Sequence, residues 1–530
     1  MKKTKIIYAA ALALVLGTSF TSCDDYLDEL PDNRTEVDTE DKVVRLLTAA
    51  YAGSSTILMS ECVSDNIDDM GDRYSNYTSR FYDQLYNLQD ITEQDNDGPY
   101  FVFQEYYNAI ANANEALEAI ERMGGATTQT LKEAKGEALL CRAYSHYMLS
   151  YLFCLPYNPA TASSSLGLTY MKTAETTLNP GYERCSLEEY YKDIDKDIQE
   201  ALPIVGDNHL NVVKYHFNRQ AAYAFAAHFY LDYQQWDKVV TYATEAIGTS
   251  PETMLRNWDE MRETAVTSDV TPRTNLYIDD TANSNFLLMT ATSSLGWWAS
   301  NITLGNRKYS HNSYIASNED LTANNIWGSA SMMRCDPFIA RSGTFDRVFM
   351  CKIPAMQNWT DAQHTTYYLV TVYAAFKADL TLLERAEAYI MLKQYDKACE
   401  DLTTWMQNWT TSKATLTPEA IQAYYNGMGY WEWNAPTQKK RLHPNFTIDA
   451  NGSVQECMLQ CVLNFKRLET IYEGYRWFDL KRYGITVYRR TMDANSEPAY
   501  VTDSLTANDP RRALQLPQEV LSAGYQANPR

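Results

Sequence analysis

Two separate segments of the chain share one pattern of small, aromatic and charged residues. Residues 226–239 read AAHFYLDYQQWDKV, and residues 385–398 read RAEAYIMLKQYDKA. An ungapped alignment matches Ala227, Tyr230, Gln235, Trp236 and Asp237-Lys238 with Ala386, Tyr389, Gln394, Tyr395 and Asp396-Lys397. Each segment predicts a helix with small residues on one face, a tight turn and a second helix. The repeat therefore favours a mainly α-helical fold.

Both segments resemble the tetratricopeptide unit, in which small residues let paired helices approach and an aromatic side chain fills the turn. The alternative is a chance likeness between two amphipathic hairpins. Helical periodicity also covers 102–123, which Gly124-Gly125 ends, and 130–153, for which Thr130 is the predicted N-cap. We expect helical hairpins over about 42–265 and 376–490.

A long segment of different composition interrupts these helices. Residues 265–375, called the insert, are rich in Thr, Ser, Asn and aromatic side chains, and short runs such as 285–289 predict small strands. An irregular segment of this length inside a compact domain is usually functional. The insert contains several aromatic residues among polar ones, including Trp297, Trp298, Trp327 and Trp359.

The beginning of the chain has the features of an export signal. A lysine-rich start is followed by an apolar stretch at 6–16, too short to span a bilayer, and then by small residues before Cys23. This arrangement resembles a bacterial lipobox, although Phe20 stands where Leu is usual. We expect residues 1–22 to be removed and Cys23 to be lipidated; the alternative is an ordinary signal peptide with an incidental cysteine. The acidic residues 24–29 resemble the surface-export signal of Bacteroidetes lipoproteins.

Charge and motif content exclude several classes of function. The 46 Lys and Arg against 67 Asp and Glu give a net charge of −21, which argues against nucleic-acid binding. The chain has no His-Glu-x-x-His, Cys-x-x-Cys, Gly-x-Ser-x-Gly or P-loop motif, so we predict no metal, cofactor or catalytic centre. A glycoside hydrolase remains an alternative because a chain with this many acids always contains candidate carboxylate pairs.

Several motifs together resemble the SusD/RagB-like nutrient-binding outer-membrane lipoproteins of Bacteroidetes. They lie at 23–31 (CDDYLDELP), 106–114 (YYNAIANAN), 135–143 (KGEALLCRA), 465–483 (FKRLETIYEGYRWFDLKRY), 514–517 (LQLP) and 526–529 (QANP). The most specific is the fourth, which is similar to the family's E-G-x-R-x-F-D-L-x-R-W stretch. Two departures occur: Tyr483 replaces the usual Trp, and 154–157 replaces a Tyr-Gly-Asp-x-Pro turn.

This resemblance implies one largely helical SusD-like domain over 23–530, anchored by lipid in the outer membrane and exposed at the cell surface. It also implies the absence of catalysis, a SusC-like TonB-dependent transporter as partner, and a glycan as ligand. Some members of the family bind peptides, so a peptide ligand is the main alternative. A further alternative is a scaffold protein that binds no small ligand.

Aromatic rings beside polar side chains suit a sugar, because a ring covers the apolar C–H face while polar groups bond the hydroxyls. The predicted ligand-binding residues are Arg73, Tyr74, Tyr77, Trp297, Trp298, Arg307 and Trp327. The segment 431–433 (Trp-Glu-Trp) is a third candidate region. For each single ring, burial in the fold is the alternative. By contrast, Arg476 and Asp479 are spaced to pair on a helix, so we interpret 473–479 as a segment that holds the fold together.

Overall fold

The computed structural model describes residues 36–74, 79–174, 181–266, 269–300, 308–343 and 345–530. The predicted signal sequence and Cys23 lie outside these residues, as do Tyr77 and Arg307. In the described part, none of the helices combines the length and apolar character that a bilayer crossing requires.

Helices dominate the described residues, as the sequence predicts. They are α1 (Glu40–Leu47), α2 (Ile57–Cys62), α3 (Arg80–Tyr86), α4 (Pro99–Arg122), α5 (Gln129–Phe153), α6 (Leu187–Ala201), α7 (Arg219–Asp232), α8 (Trp236–Ile247), α9 (Trp258–Glu263), α10 (Thr271–Tyr277), α11 (Leu295–Ser300), α12 (Ser313–Glu319), α13 (Ala378–Met391), α14 (Tyr395–Trp409), α15 (Pro418–Asn426), α16 (Val454–Glu469), α17 (Arg476–Arg482) and α18 (Gln518–Ser522). Thr128, and not Thr130, caps α5: its side chain accepts a hydrogen bond from the amide of Leu131.

Short strands form three small sheets. The strands are β1 (Asp68–Asp69), β2 (Asn285–Thr292), β3 (Tyr309–Ser310), β4 (Phe338–Ser342), β5 (Phe345–Phe349), β6 (Met356–Trp359), β7 (Tyr367–Lys377), β8 (Val487–Met492) and β9 (Pro498–Leu505). The sheet orders are β3-β1-β8-β9, β2-β7-β6 and β4-β5. The insert therefore contains short strands, as predicted, but also short helices that its composition did not indicate.

The two repeated segments adopt the same hairpin geometry. Gln234 and Lys393 occupy equivalent alignment positions, and both have positive φ, at 61° and 57°. The next residue in each hairpin donates its amide back to the carbonyl of Tyr230 or Tyr389. Helix α8 then packs against α13, so the second hairpin lies beside the first although the insert separates them in sequence. This stacking buries the small-residue faces, as tetratricopeptide-like units require.

The segment 473–479 is buried, but its ion pairs differ from the predicted one. The guanidinium group of Arg476 forms a bidentate salt bridge with Asp65, with both N–O distances at 2.8 Å, and does not pair with Asp479. Asp479 instead accepts from Lys466 at 2.6 Å. The spacing of Arg476 and Asp479 permitted a pair within the helix, but Asp65, far away in sequence, competes more effectively. The segment thereby connects the beginning and the end of the described chain.

A buried histidine links the loop before α7 to α5. The ring of His209 lies 2.7 Å from Glu137 and 3.3 Å from Glu133, and the nearby His216 lies 2.6 Å from Glu137. Burial alone would lower the pKa of His209, but its bonds to Glu137 and Glu133 raise it above the ordinary value. The charged form of His209 therefore stabilises the fold below a pH of about 6.5, and this contribution is lost as the pH rises through the folded-state pKa.

This linkage makes the effect of His209→Gln depend on pH. We expect the substitution to cost about 1.5 kcal/mol more near pH 5.5 than near pH 8.5, a value typical of hydrogen bonds to charged groups. Urea unfolding at both pH values measures the difference. The control is His443→Gln, which changes an exposed histidine side chain and should cost little at either pH value. A cost of His209→Gln that does not change with pH would contradict the assignment.

Candidate functional site

The four-stranded sheet brings together the three segments predicted to contact a ligand. Strand β1 leads into the segment that contains Arg73 and Tyr74, and it pairs with β3, the strand that follows residues 301–307. On its other side β1 pairs with β8, and Arg490 of β8 donates to the carbonyl oxygen of Trp433 at 3.4 Å. The pairing of short strands therefore brings the described residues 68–74, 309–310 and 433 to one side of the molecule.

Three partly exposed aromatic residues contact Arg490 and form what we call the aromatic face: Tyr314 and Trp431 through their rings, and Trp433 through its carbonyl oxygen. The guanidinium group of Arg490 lies 5.7 Å from the ring centroid of Tyr314 and 5.3 Å from that of Trp431. Lys440 Nζ lies 4.2 Å from the centroid of Trp431. Cations at these distances attract the π-electrons of the rings and hold them in place. Contacts within the protein therefore hold the Tyr314 and Trp431 rings in position without a ligand.

A small apolar cluster lies beneath the Tyr314 ring of the aromatic face, separate from the main core. Met70, Tyr74 and Met492 are its buried members, and Tyr314 and Phe345 pack against it. Met70 follows β1 and Met492 ends β8, so both strands support the same ring of Tyr314. The cluster thus supports the Tyr314 ring from below, and it explains why Tyr74 is buried there.

Buried charges support the cations of the aromatic face. Glu319 lies 2.7 Å from Lys440, 2.7 Å from Arg467 and 3.3 Å from Arg490. Burial alone would raise the pKa of Glu319, but these three cations hold it far below its ordinary value. Arg490 also contacts both oxygens of Asp68, at 2.9 and 3.0 Å. The carboxylates thus fix the two cations that contact the rings.

Lys440 is a cation of this cluster whose charge is opposed by its burial. Burial lowers the pKa of Lys440 to about 8, although Glu319 and Asp65 act in the opposite direction. A buried ammonium group keeps its charge only while carboxylates lie near it. The position of the Trp431 ring therefore depends indirectly on Glu319.

The structure places several sequence-predicted residues in the core and not on a surface. Trp298 is 1% exposed and packs edge-to-face against Tyr472, and Trp327 is 7% exposed and packs against Phe465. Rings buried to this degree have no free face for a sugar, so the predicted contacts through Trp298 and Trp327 are corrected to core packing. Trp297 is half-buried in α11, and its indole N–H has no hydrogen-bond partner.

Tyr74 also lies in the protein and not at its surface, with 4% exposure. Arg73 belongs to the short 3₁₀ turn Asp72–Tyr74, and the structure describes only its backbone. Tyr77 and Arg307 fall outside the described residues. Their predicted ligand contacts remain predictions.

The sequence places Tyr314 among the aromatic residues of the polar insert, but Tyr314 was not included in the predicted ligand-binding set. Arg490 and Lys440 were missed altogether as parts of this site. Arg490 and Lys440 carry no local signal, since their role depends on contacts with rings that are distant in sequence. Among described residues, no group of three or more His, Cys, Asp or Glu side chains is arranged to hold a metal ion.

An apolar cleft of about 420 Å³ lies elsewhere, between α4 and α18. Its polar groups are already used within the protein: Tyr107 donates to the Thr169 carbonyl, and Asn114 donates to the carbonyls of Met171 and Thr173. We assign the candidate site to the aromatic face, where partly exposed aromatic residues from distant parts of the chain meet at Arg490, and not to this cleft.

Comparisons with known proteins agree with the family suggested by the sequence. Residues 25–231 match the SusD-like_3 family, described as "Starch-binding associating with outer membrane". No curated protein matches the chain.

Solved structures of similar fold extend over nearly the whole chain. A SusD superfamily protein of Bacteroides thetaiotaomicron is 17% identical, with a TM-score of 0.60 over 94% of this chain and 100% of that one. A SusD superfamily protein of Bacteroides vulgatus is 18% identical, with a TM-score of 0.63 over 94% and 99%. A SusD-like carbohydrate binding protein of the same species is 14% identical, with a TM-score of 0.62 over 92% and 97%. At such identities the likeness concerns the fold, and it confirms the predicted mainly α, SusD-like architecture. Residues 25–231 of this protein thus match the SusD-like_3 family model, and the chain along its length shares the fold of SusD superfamily proteins.

Proposed function

We propose that the protein binds a neutral oligo- or polysaccharide at its aromatic face, without catalysis. The convergence of Tyr314, Trp431 and Trp433 on one side of the four-stranded sheet supports this proposal most directly. Partly exposed rings that the protein holds in place can stack on the C–H faces of sugars. The family description as starch-binding, and the carbohydrate-binding protein of similar fold, support the same class of ligand.

The charges of the site favour binding over hydrolysis. A glycoside hydrolase needs a carboxylic acid that can donate a proton to the leaving group. Glu319, the carboxylate behind the aromatic face, is held ionised by three cations and cannot serve as this acid near neutral pH. Incubation of the protein with polysaccharides should therefore generate no new reducing ends. Robust turnover would overturn the proposal in favour of the hydrolase.

The same proposal includes the location of the protein and its partner. A lipid on Cys23 would attach it to the outer membrane, and the bound saccharide would pass to a SusC-like TonB-dependent transporter. The family description as associating with the outer membrane supports this location. Co-purification of the transporter with the tagged full-length protein from the native membrane tests the partnership, and labelling with a radioactive fatty acid tests the lipid.

Replacing Trp431 with alanine should weaken saccharide binding. The substitution removes the ring that Arg490 and Lys440 hold at the face, and we expect at least about a tenfold loss of affinity, as for the central residue of a binding site. The measurement is calorimetry on the full-length protein in detergent, with starch, arabinoxylan, galactomannan and a mixture of peptides as probes. Binding of peptides alone would support the alternative of a peptide-binding family member.

The matched control is Tyr182→Ala, which removes another partly exposed ring, 38% exposed, at the rim of the apolar cleft. We expect this variant to bind like the wild type. Thermal unfolding of both variants verifies that they fold. If Tyr182→Ala loses affinity while Trp431→Ala keeps it, the cleft is the binding site and the aromatic face is not.

A further inference from the structure

The β6–β7 hairpin projects beyond the sheet that supports it. Strand β2 ends at Thr292, which pairs with Val370, and the ladder of β6 with β7 continues past this point. The amide of Ser293 still donates to the Leu369 carbonyl, and beyond it the last two pairs, Asn358 with Tyr368 and Trp359 with Tyr367, form a two-stranded ribbon. Side chains on such a ribbon face solvent on both sides, so they contribute little to the core.

Large aromatic side chains nevertheless occupy the end of this ribbon. Trp359 is 37% exposed, Tyr367 40% and Tyr368 57%. The rings of Trp359 and Tyr367 lie edge-to-face, with centroids 4.8 Å apart. His364 adopts a positive φ of 55° and stacks on Trp359, with centroids 5.0 Å apart and ring planes at 14°. The turn therefore fixes the Trp359 ring instead of leaving it mobile.

One carboxylate holds the turn in this conformation. Asp361 accepts hydrogen bonds from the amides of Thr365 and Thr366 and from the hydroxyl of Thr365, at 2.6–3.1 Å. Thr360 adds a bond from its own amide to the carbonyl of Thr366. An ordered turn reduces the entropy that a ligand would have to remove, which favours binding to the rings it carries.

The chemistry of the ribbon indicates an uncharged ligand. Residues 355–370 read AMQNWTDAQHTTYYLV, and Asp361, whose oxygens are already used in the turn, is the single Asp, Glu, Lys or Arg among them. Exposed edge strands usually carry charges that prevent association with other chains. Here amides and hydroxyls surround the rings instead: Gln357, Asn358 and Thr360. Rings beside amides and hydroxyls match the faces and edges of a neutral sugar.

We propose that the β6–β7 ribbon is a second carbohydrate contact, at which Trp359 and Tyr367 bind another part of the neutral polysaccharide held by the aromatic face. This inference rests on the proposed function and extends it to a second sheet of the molecule. Two contacts on one long ligand increase the overall affinity, because the second binding event becomes intramolecular. A ligand too short to reach both contacts gains no affinity in this way.

The test compares long and short ligands on the full-length protein in detergent. The probes are starch, arabinoxylan and galactomannan, and the hexasaccharide of each. For the double variant Trp359→Ala/Tyr367→Ala we expect at least about a tenfold loss of affinity for the polysaccharide. Affinity of the aromatic face for the matching hexasaccharide should be unchanged. Trp431→Ala should weaken binding of both.

A direct readout uses protein labelled with 5-fluorotryptophan. The ¹⁹F resonance missing from Trp359→Phe identifies Trp359, and we expect it to shift when the hexasaccharide is added to Trp431→Ala, in which the aromatic face is impaired. A double variant that binds the polysaccharide like the wild type, together with an unmoved Trp359 resonance, would overturn the second contact and leave the proposed function intact. Failure of all these saccharides to bind the wild type would overturn both.

Discussion

Replacing Glu319 with alanine is expected to lower the free energy of unfolding by about 3–5 kcal/mol, the usual cost of removing one partner from a buried ionic cluster. The carboxylate is fully buried and lies within 3.3 Å of Lys440, Arg467 and Arg490. Without it, these cations remain buried with too little negative charge nearby. Burial already lowers the pKa of Lys440 to about 8, so this group should lose its proton first.

Equilibrium unfolding in urea measures the loss of stability. The control is Glu432→Ala, at an exposed carboxylate that lies 3.6 Å from the equally exposed Arg441. Surface pairs of this kind contribute about 0–1 kcal/mol, so the control should unfold nearly like the wild type. Glu319→Ala should also weaken saccharide binding, since Lys440 and Arg490 position Trp431. Equal stability of the two variants would show that the cluster does not hold the fold together.

Replacing Gly296 with alanine is expected to destabilise the protein by about 3 kcal/mol or more, at the upper end of the range for overpacking. A Cβ at this position would overlap the carbonyl oxygen of Pro354, and it would lie 2.7 Å from the Pro354 carbonyl carbon and 2.8 Å from Ala355 Cα. These atoms belong to the backbone and cannot rotate away. Helix α11 would have to move away from the segment that leads into β6.

Gly343→Ala is the matched control, since a Cβ there meets nothing within 4 Å. It should change the free energy of unfolding by no more than about 0.5 kcal/mol, as surface substitutions do. Thermal and urea unfolding of both variants provide the comparison. Equal stability of Gly296→Ala and the wild type would mean that the contact between α11 and Pro354 relaxes freely, which would contradict the close packing described here.

The helical part of the fold could be predicted because its signals are local. Small residues at helical spacing, an aromatic residue after a turn and an Asp-Lys pair lie within a few positions of one another at 226–239 and 385–398. Gln234 and Lys393 then adopt the same backbone conformation. Family motifs over the whole chain added the SusD-like architecture.

The candidate site was only partly predictable because exposure is a tertiary property. The sequence pointed to rings among polar residues, and it singled out 431–433 as a candidate region. Nothing near Trp298 or Trp327 in the sequence shows that Tyr472 and Phe465 cover them. The support of Trp431 by Lys440 and Arg490 depends on Glu319, more than a hundred positions before both cations. Such an arrangement becomes visible only when the chain is folded.

The direct packing of α8 against α13 also bears on how this architecture can diversify. Because the helices before and after the insert touch, the segment between them leaves the helical scaffold and returns to nearly the same place. Closing a longer or shorter loop between neighbouring ends changes the free energy of the chain only slowly with loop length. Relatives can therefore lengthen, shorten or exchange the insert, with its β6–β7 ribbon, at little cost to the scaffold. Recognition of new nutrients can evolve in one part of such a protein while another part conserves its shape.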